Sequence, residues 1–325
     1  MRKAFSAGVA SGAAQKTRQS QDAEACEKRS GHVHSSPHGR IAYVNGRYLP
    51  HAEASVHIED RGLQFADAVY EVCAVIDGRL IDEEGHTARL GRSLKELQMP
   101  MPMQPAALGI VMREVVRRNR LRNGLVYLQV TRGAYRRDHV IPANPKLSLM
   151  MTARSMDVAA VEKRRSEGIA VVTLPDLRWG RCDIKTTGLL PNTLAKSEAR
   201  KRGAFESWLV DGDAMITEGT SANAWIVTRD GVLVTRHLSN NILAGVTRAG
   251  VLTALKSTTG IPVEERPFSV DEALTAKEAF ITSASGGVIP VVSIDGKLLG
   301  DGKPGAVTRK LHEAYSQLTA ATARA

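Results

Sequence analysis

The order of strand and helix signals constrains this chain more than any other feature. Apolar residues flank Asn45-Gly46 in IAYVNGRYLP and Asp77-Gly78 in VYEVCAVIDGRLI, dipeptides that close two-residue hairpins. Leu90, Leu94 and Leu97 then fall at helical spacing in residues 86–98, ended by Pro100 and Pro102, and 110–119 is a second amphipathic helix. Residues 125–133 and 146–153 read as strands joined by the polar loop AYRRDHVIPANP. A second region opens with IAVVTLP (169–175) and continues with a helix at 191–202 and short strands near 206–210, 214–217, 223–228 and 231–235. A helix at 246–258, further strands in AFITSASGGVIPV and VSIDGKLL, and a closing helix at 304–320 complete it. Hairpins come first and strand–helix alternation follows, so the expected class is α+β, with two domains of mixed sheets and flanking helices. The expected boundaries are a disordered extension at 1–40, a small domain at 41–154, a charged linker at 155–168 and a large domain at 169–325.

Composition narrows the function. No stretch approaches the roughly 18 consecutive apolar residues of a membrane span, and no membrane partner is expected. Cys26, Cys73 and Cys182 form no C-x-x-C pair, which argues against a disulfide scaffold or structural zinc. His32, His34 and His38 cluster in the extension, where solvated side chains are the ordinary outcome, so no metal is expected. The formal net charge is +10. Residues 1–40 hold seven basic against three acidic residues, a surplus of four, and leave a mild surplus of six to the remaining 285 residues. A nucleic-acid-binding protein would need basic residues on one face with stacking aromatics. Aromatics are 4% of the chain, and its dense basic runs, RRNRLR and RKRG, lie on or beside expected helices. No nucleic-acid partner is expected.

Four local constellations carry chemistry. Lys185, in RWGRCDIKTTGLLPN, is a lysine that could form a Schiff base with an aldehyde if burial keeps its amine neutral, or could be simply exposed. Glu218, in MITEGTSANAWIV, could face a heterocyclic nitrogen or cap its own loop. Gly245, Val246 and Thr247 open a helix whose free N–H groups suit a phosphate, with Arg89 and the hydroxyls of TSAS (282–285) as further donors. Arg137-Asp138-His139 offers a fork for a carboxylate, or a polar loop tip. An aldehyde, a ring nitrogen and a phosphate together describe pyridoxal 5'-phosphate.

The segments EDRGLQFADAVYEV, HTARL, LQVTRG, RWGRCDIKTTGLLPN, TEGTSANAW and NNILAGVTR, in this order from about Tyr43 to Leu318, resemble those of D-amino-acid aminotransferases. These are fold-type IV pyridoxal-phosphate enzymes. The resemblance implies a two-domain fold of that type and Lys185 as the catalytic lysine that bonds the cofactor and shuttles protons. It implies Glu218 at the pyridine nitrogen, Arg89, Val246, Thr247 and Ser285 at the phosphate, and Leu243 against the ring. Tyr70, Arg137 and His139 match the family's substrate-carboxylate trap. Because that loop serves the neighbouring subunit in the family, a cytoplasmic homodimer acting on amino acids and 2-oxo acids is expected. FADAVYEV replaces the commoner FGDGVYEV, so Ala66 and Ala68 narrow the approach; Ala222 and Ser285 stand where serine and threonine are usual. Rival readings on the same fold are a branched-chain L-amino-acid or (R)-amine transaminase and an aminodeoxychorismate lyase.

Overall fold

Alternating burial along its strands explains the first half of the molecule. β1 (Ile41–Val44) and β2 (Arg47–Pro50) form the hairpin expected around Asn45-Gly46, where both turn residues take positive φ (46° and 91°). β3 (Ala68–Ile76) and β4 (Arg79–Leu80) repeat this around Asp77-Gly78. With β5 (Gly124–Thr131) and β6 (Ser148–Ser155) they make a six-stranded antiparallel sheet ordered β2-β1-β6-β5-β3-β4. Side chains alternate across such a sheet. Val69, Cys73 and Val75 of β3 join Leu90 and Leu94 of helix Glu83–Glu96 and Met112 and Val115 of helix Pro105–Arg118 in one buried cluster. Tyr70, Val72 and Ala74 are left to the opposite face.

The second half is a nine-stranded mixed sheet. It contains β7 (Ile169–Pro175), β8 (Glu206–Val210), β9 (Ile216–Gly219), β10 (Asn223–Val227), β11 (Leu233–Thr235), β12 (Val263–Glu265), β13 (Glu278–Ser283), β14 (Gly287–Ile294) and β15 (Lys297–Leu298). The order is β12-β11-β10-β13-β14-β7-β8-β9, with β15 paired to β14; β7 runs parallel to both β8 and β14, and β11 parallel to β12. Trp225 and Phe280 stack at 5.4 Å beneath helices Val246–Thr258 and Ala306–Thr322, while Trp208 and Phe268 sit in the core of the other face.

This computed structural model describes residues 39–258 and 260–322. The extension expected at 1–40, with its histidine cluster and Cys26, lies outside the described residues apart from Gly39 and Arg40. Each expected domain supplies one sheet, and residues Ile41–Ala325 together form one compact unit. The expected linker is structured: Val158–Glu167 is a helix capped by Asp157, and Arg165 donates to the Gly286 carbonyl at 3.0 Å. Its charged sequence has only Val161 buried, so apolar periodicity did not announce it. No described helix is long and apolar enough to cross a membrane, and no group of three or more potential metal ligands occurs among the described residues.

Candidate active site

The loop between β7 and helix Leu190–Lys201 carries Lys185 to the seam between the two sheets. Its carbonyl accepts from Tyr70 N of β3 (3.0 Å), its N–H donates to Ser93 Oγ (3.3 Å), and Thr187 N donates to Ala68 O (3.2 Å). Ile184 anchors the loop in the core of the six-stranded sheet, and Asp183 is clamped by Arg92 and Arg181. The Lys185 amine sits 4.1 Å from the centroid of the Tyr70 ring. Burial and the neighbouring Arg89 charge pull that amine down to about 8 from the ordinary 10.5, against the opposing carboxylates Glu71 and Glu218. A lysine so placed is partly neutral near physiological pH, the condition for nucleophilic or basic work.

Lys185 looks into a pocket of about 310 Å³, the size of small-ligand sites. Glu218 of β9 lies buried on one side. Its partners are all donors: Arg178, Asn223 Nδ2 (3.0 Å) and Leu243 N (3.2 Å). Burial pushes this carboxyl above its ordinary value, while Arg178 pulls it back toward the ionised form. The pocket also meets the start of helix Val246–Thr258, whose first N–H groups have no helical carbonyl four residues back. Thr247, Ser283 at the end of β13 and the turn residue Ser285 stand beside it. Arg89 reaches the same wall, with two N–H groups on Glu71 (2.8 and 2.7 Å) and a third on Ala244 O (3.0 Å). Glu71 is buried, which would raise its carboxyl, yet Arg89 and His86 hold it down at about 2.

Eight of the ten expected site residues therefore share one pocket: Lys185, Glu218, Arg89, Leu243, Val246, Thr247, Ser285 and Tyr70. Arg137 and His139 do not line it. Both pack on Phe65, the arginine 5.0 Å and the histidine ring 5.3 Å from its centroid, and both are exposed. Buried Arg61 fixes their loop by donating to the Asp138 carbonyl at 2.6 Å. Arg178, Glu71, His86 and Asn223, which hold the pocket residues in place, carry no signal of that role in the sequence. Arg178 stood inside the quoted RWGR segment and Glu71 inside VYEV, but which ion pair each makes depends on long-range folding.

Two kinds of comparison agree with this geometry. Residues 68–294 match the amino-transferase class IV family model. The chain belongs to the class IV aminotransferases. It is 41% identical to a protein named D-alanine aminotransferase from Bacillus licheniformis, over 83% of this chain and 94% of that protein. A protein of the same name from Staphylococcus haemolyticus is 38% identical over 85% and 96%. Among solved structures, the branched-chain amino acid aminotransferase of Escherichia coli superposes with a TM-score of 0.80 at 25% identity, covering 86% of this chain and 95% of that one. The branched-chain amino acid aminotransferase of T.th., solved with pyridoxamine 5'-phosphate, gives 0.79 at 27% identity, covering 87% and 95%. The expected fold type is therefore found.

Class IV aminotransferases work with pyridoxal phosphate, and the donor set of this pocket fits that group. A lysine amine of lowered basicity would meet its aldehyde. Backbone N–H groups and hydroxyls at a helix start suit its phosphate. A buried carboxylate surrounded by donors is the acceptor its ring nitrogen requires.

Proposed function

We propose that this class IV aminotransferase is a D-amino-acid transaminase, moving the amino group of a D-amino acid such as D-alanine to a 2-oxo acid such as 2-oxoglutarate. The observation that carries the transaminase reading is the Lys185 amine, lowered to about 8 within one pocket with Glu218 and the Val246 helix start. Handedness leans on the relatives named D-alanine aminotransferases at 38–41% identity and on the Arg137-x-His139 loop.

When bound, the cofactor supplies an aldehyde for amino groups and a ring that takes up the electron pair left by the α-proton. The chain's own residues do the rest. Glu218 would accept a hydrogen bond from the ring N–H and keep that nitrogen protonated, its own charge held by Arg178 and Asn223. Arg89, fixed by Glu71, would hold the phosphate with Val246, Thr247 and Ser285, and Leu243 would pack on the ring. Lys185 would be the base that takes the proton from the substrate Cα and would deliver it back as an acid. Tyr70, on the sheet face beside Lys185, orients the substrate carboxylate together with Arg137 and His139. Those two residues are exposed and do not line the pocket of their own chain, which supports a homodimer in which each loop completes the partner's site. The buried free thiol of Cys73 fits a reducing cytoplasm, where we place the protein.

The test is the absorbance of the loaded protein. D-alanine should shift the cofactor band and L-alanine should not, while Lys185→Ala should abolish both the lysine-bound band and turnover. A band moved only by L-leucine would instead favour the branched-chain reading, which the structural neighbours motivate.

A further inference from the structure

The pocket does not end at Tyr70. Its wall continues along the same face of the six-stranded sheet through Val72 of β3 and Leu125 of β5 to Arg154 of β6. The register sets Ala74 opposite Leu125 and Leu125 opposite Arg154, so Tyr70, Val72, Leu125 and Arg154 share one face. At about 6.6 Å per same-face step and about 4.8 Å between strands, Arg154 lies about 12 Å from Val72 at Cα. An arginine side chain is long enough to span the remaining gap, and Arg154 and Tyr70 line the same pocket.

The other arginines on this wall are committed. Arg89 is bidentate to Glu71, and Arg178 is paired with Asp176 and Glu218. Arg154 is exposed, and among the described residues no carboxylate pairs with it. Outward from the reacting amine, the wall thus reads polar (Tyr70), apolar (Val72, Leu125), then cationic. A short aliphatic stem ending in an anion matches that profile; a methyl side chain reaches none of its far end.

We propose that Arg154 is a specificity-determining residue that pairs with the distal carboxylate of dicarboxylic substrates, acidic D-amino acids and the 2-oxo acids derived from them. The inference rests on the transaminase reading of the pocket and adds to it the residue that reads the side chain. Substrates without a second carboxylate gain nothing from Arg154.

Calorimetric titration of the cofactor-loaded wild type, Arg154→Ala and Arg154→Lys with glutarate and butyrate tests this, alongside single-turnover rates with D-glutamate and D-alanine. Arg154→Ala should weaken glutarate about 5- to 20-fold, the range for losing a partly solvated charge-assisted pair. Butyrate affinity and the D-alanine rate should stay within about twofold, the D-glutamate loss should fall on the concentration for half-maximal rate, and Arg154→Lys should recover most of it. Equal losses for both acids, no loss for glutarate, or a wild type that does not prefer glutarate would each overturn the proposal. A wild type that turns over neither amino acid would overturn the transaminase reading, and the glutarate series would still decide the role of Arg154.

Discussion

At the scale of single residues, the site is a set of charges held away from their ordinary values. Lys185 has a folded value near 8 and an unfolded value of 10.5. Between these the unfolded chain binds more protons, so the stability of cofactor-free protein rises with pH across that window, and the burial penalty is fully present below it. Lys185→Met should therefore stabilise the cofactor-free protein at pH 7 by about 1–3 kcal/mol and remove the rise between pH 8 and 10.5. Urea denaturation at several pH values measures both. Glu71 also makes stability rise with pH, but as a favourable contribution rather than a relieved penalty. Its carboxylate has a folded value near 2, so what it contributes is present above 4.5 and lost as pH falls toward 2.

At the scale of elements, closeness between segments decides what each can hold. Gly245, which leads into the Val246–Thr258 helix, would place a Cβ 2.0 Å from Asn223 Oδ1. Asn223 donates to Glu218 and to the Leu243 carbonyl, so the intrusion would reach the carboxylate through one side chain. Gly245→Ala should cost about 1–3 kcal/mol in stability and weaken pyridoxal phosphate at least tenfold, read by equilibrium titration; unaltered affinity would separate Gly245 from the Glu218 support. The long elements were legible in the sequence because burial imposed a period on them: 169–175 and 246–258 appear with the expected bounds. Elements without such a period were not legible. Arg61–Phe65 is a five-residue helix held by an Asp60 cap, Val263–Glu265 is an exposed edge strand, and Val158–Glu167 buries a single valine. The site divides the same way. Lys185 and Glu218 were visible as candidates, and the resemblance drew them together, but the charges that set theirs come from residues distant in sequence, Arg178 for Glu218 and Arg89 for Lys185.

At the scale of the whole molecule, the Arg137–His139 loop is the feature a single chain leaves unexplained. It is anchored through Arg61 and Phe65, exposed, and absent from its own pocket. If each loop completes the partner's site, Lys185→Ala and Arg137→Ala chains should each be poorly active alone. Refolded together, they should recover a clear fraction of wild-type turnover, because one kind of mixed dimer site then has both residues. Failure to recover, with dimers present on a sizing column, would assign Arg137 to its own pocket or to none.

The hydrogen bond from Tyr70 N to the Lys185 carbonyl has a wider meaning. The Lys185 backbone is tethered to a strand of the sheet opposite the one that supplies Glu218, so on the proposed reading amine and carboxylate meet only while both halves stay in register. A molecule that has yawned open at its waist is a silent one even with every strand intact. On that reading, turnover reports the correct packing of the two halves against each other.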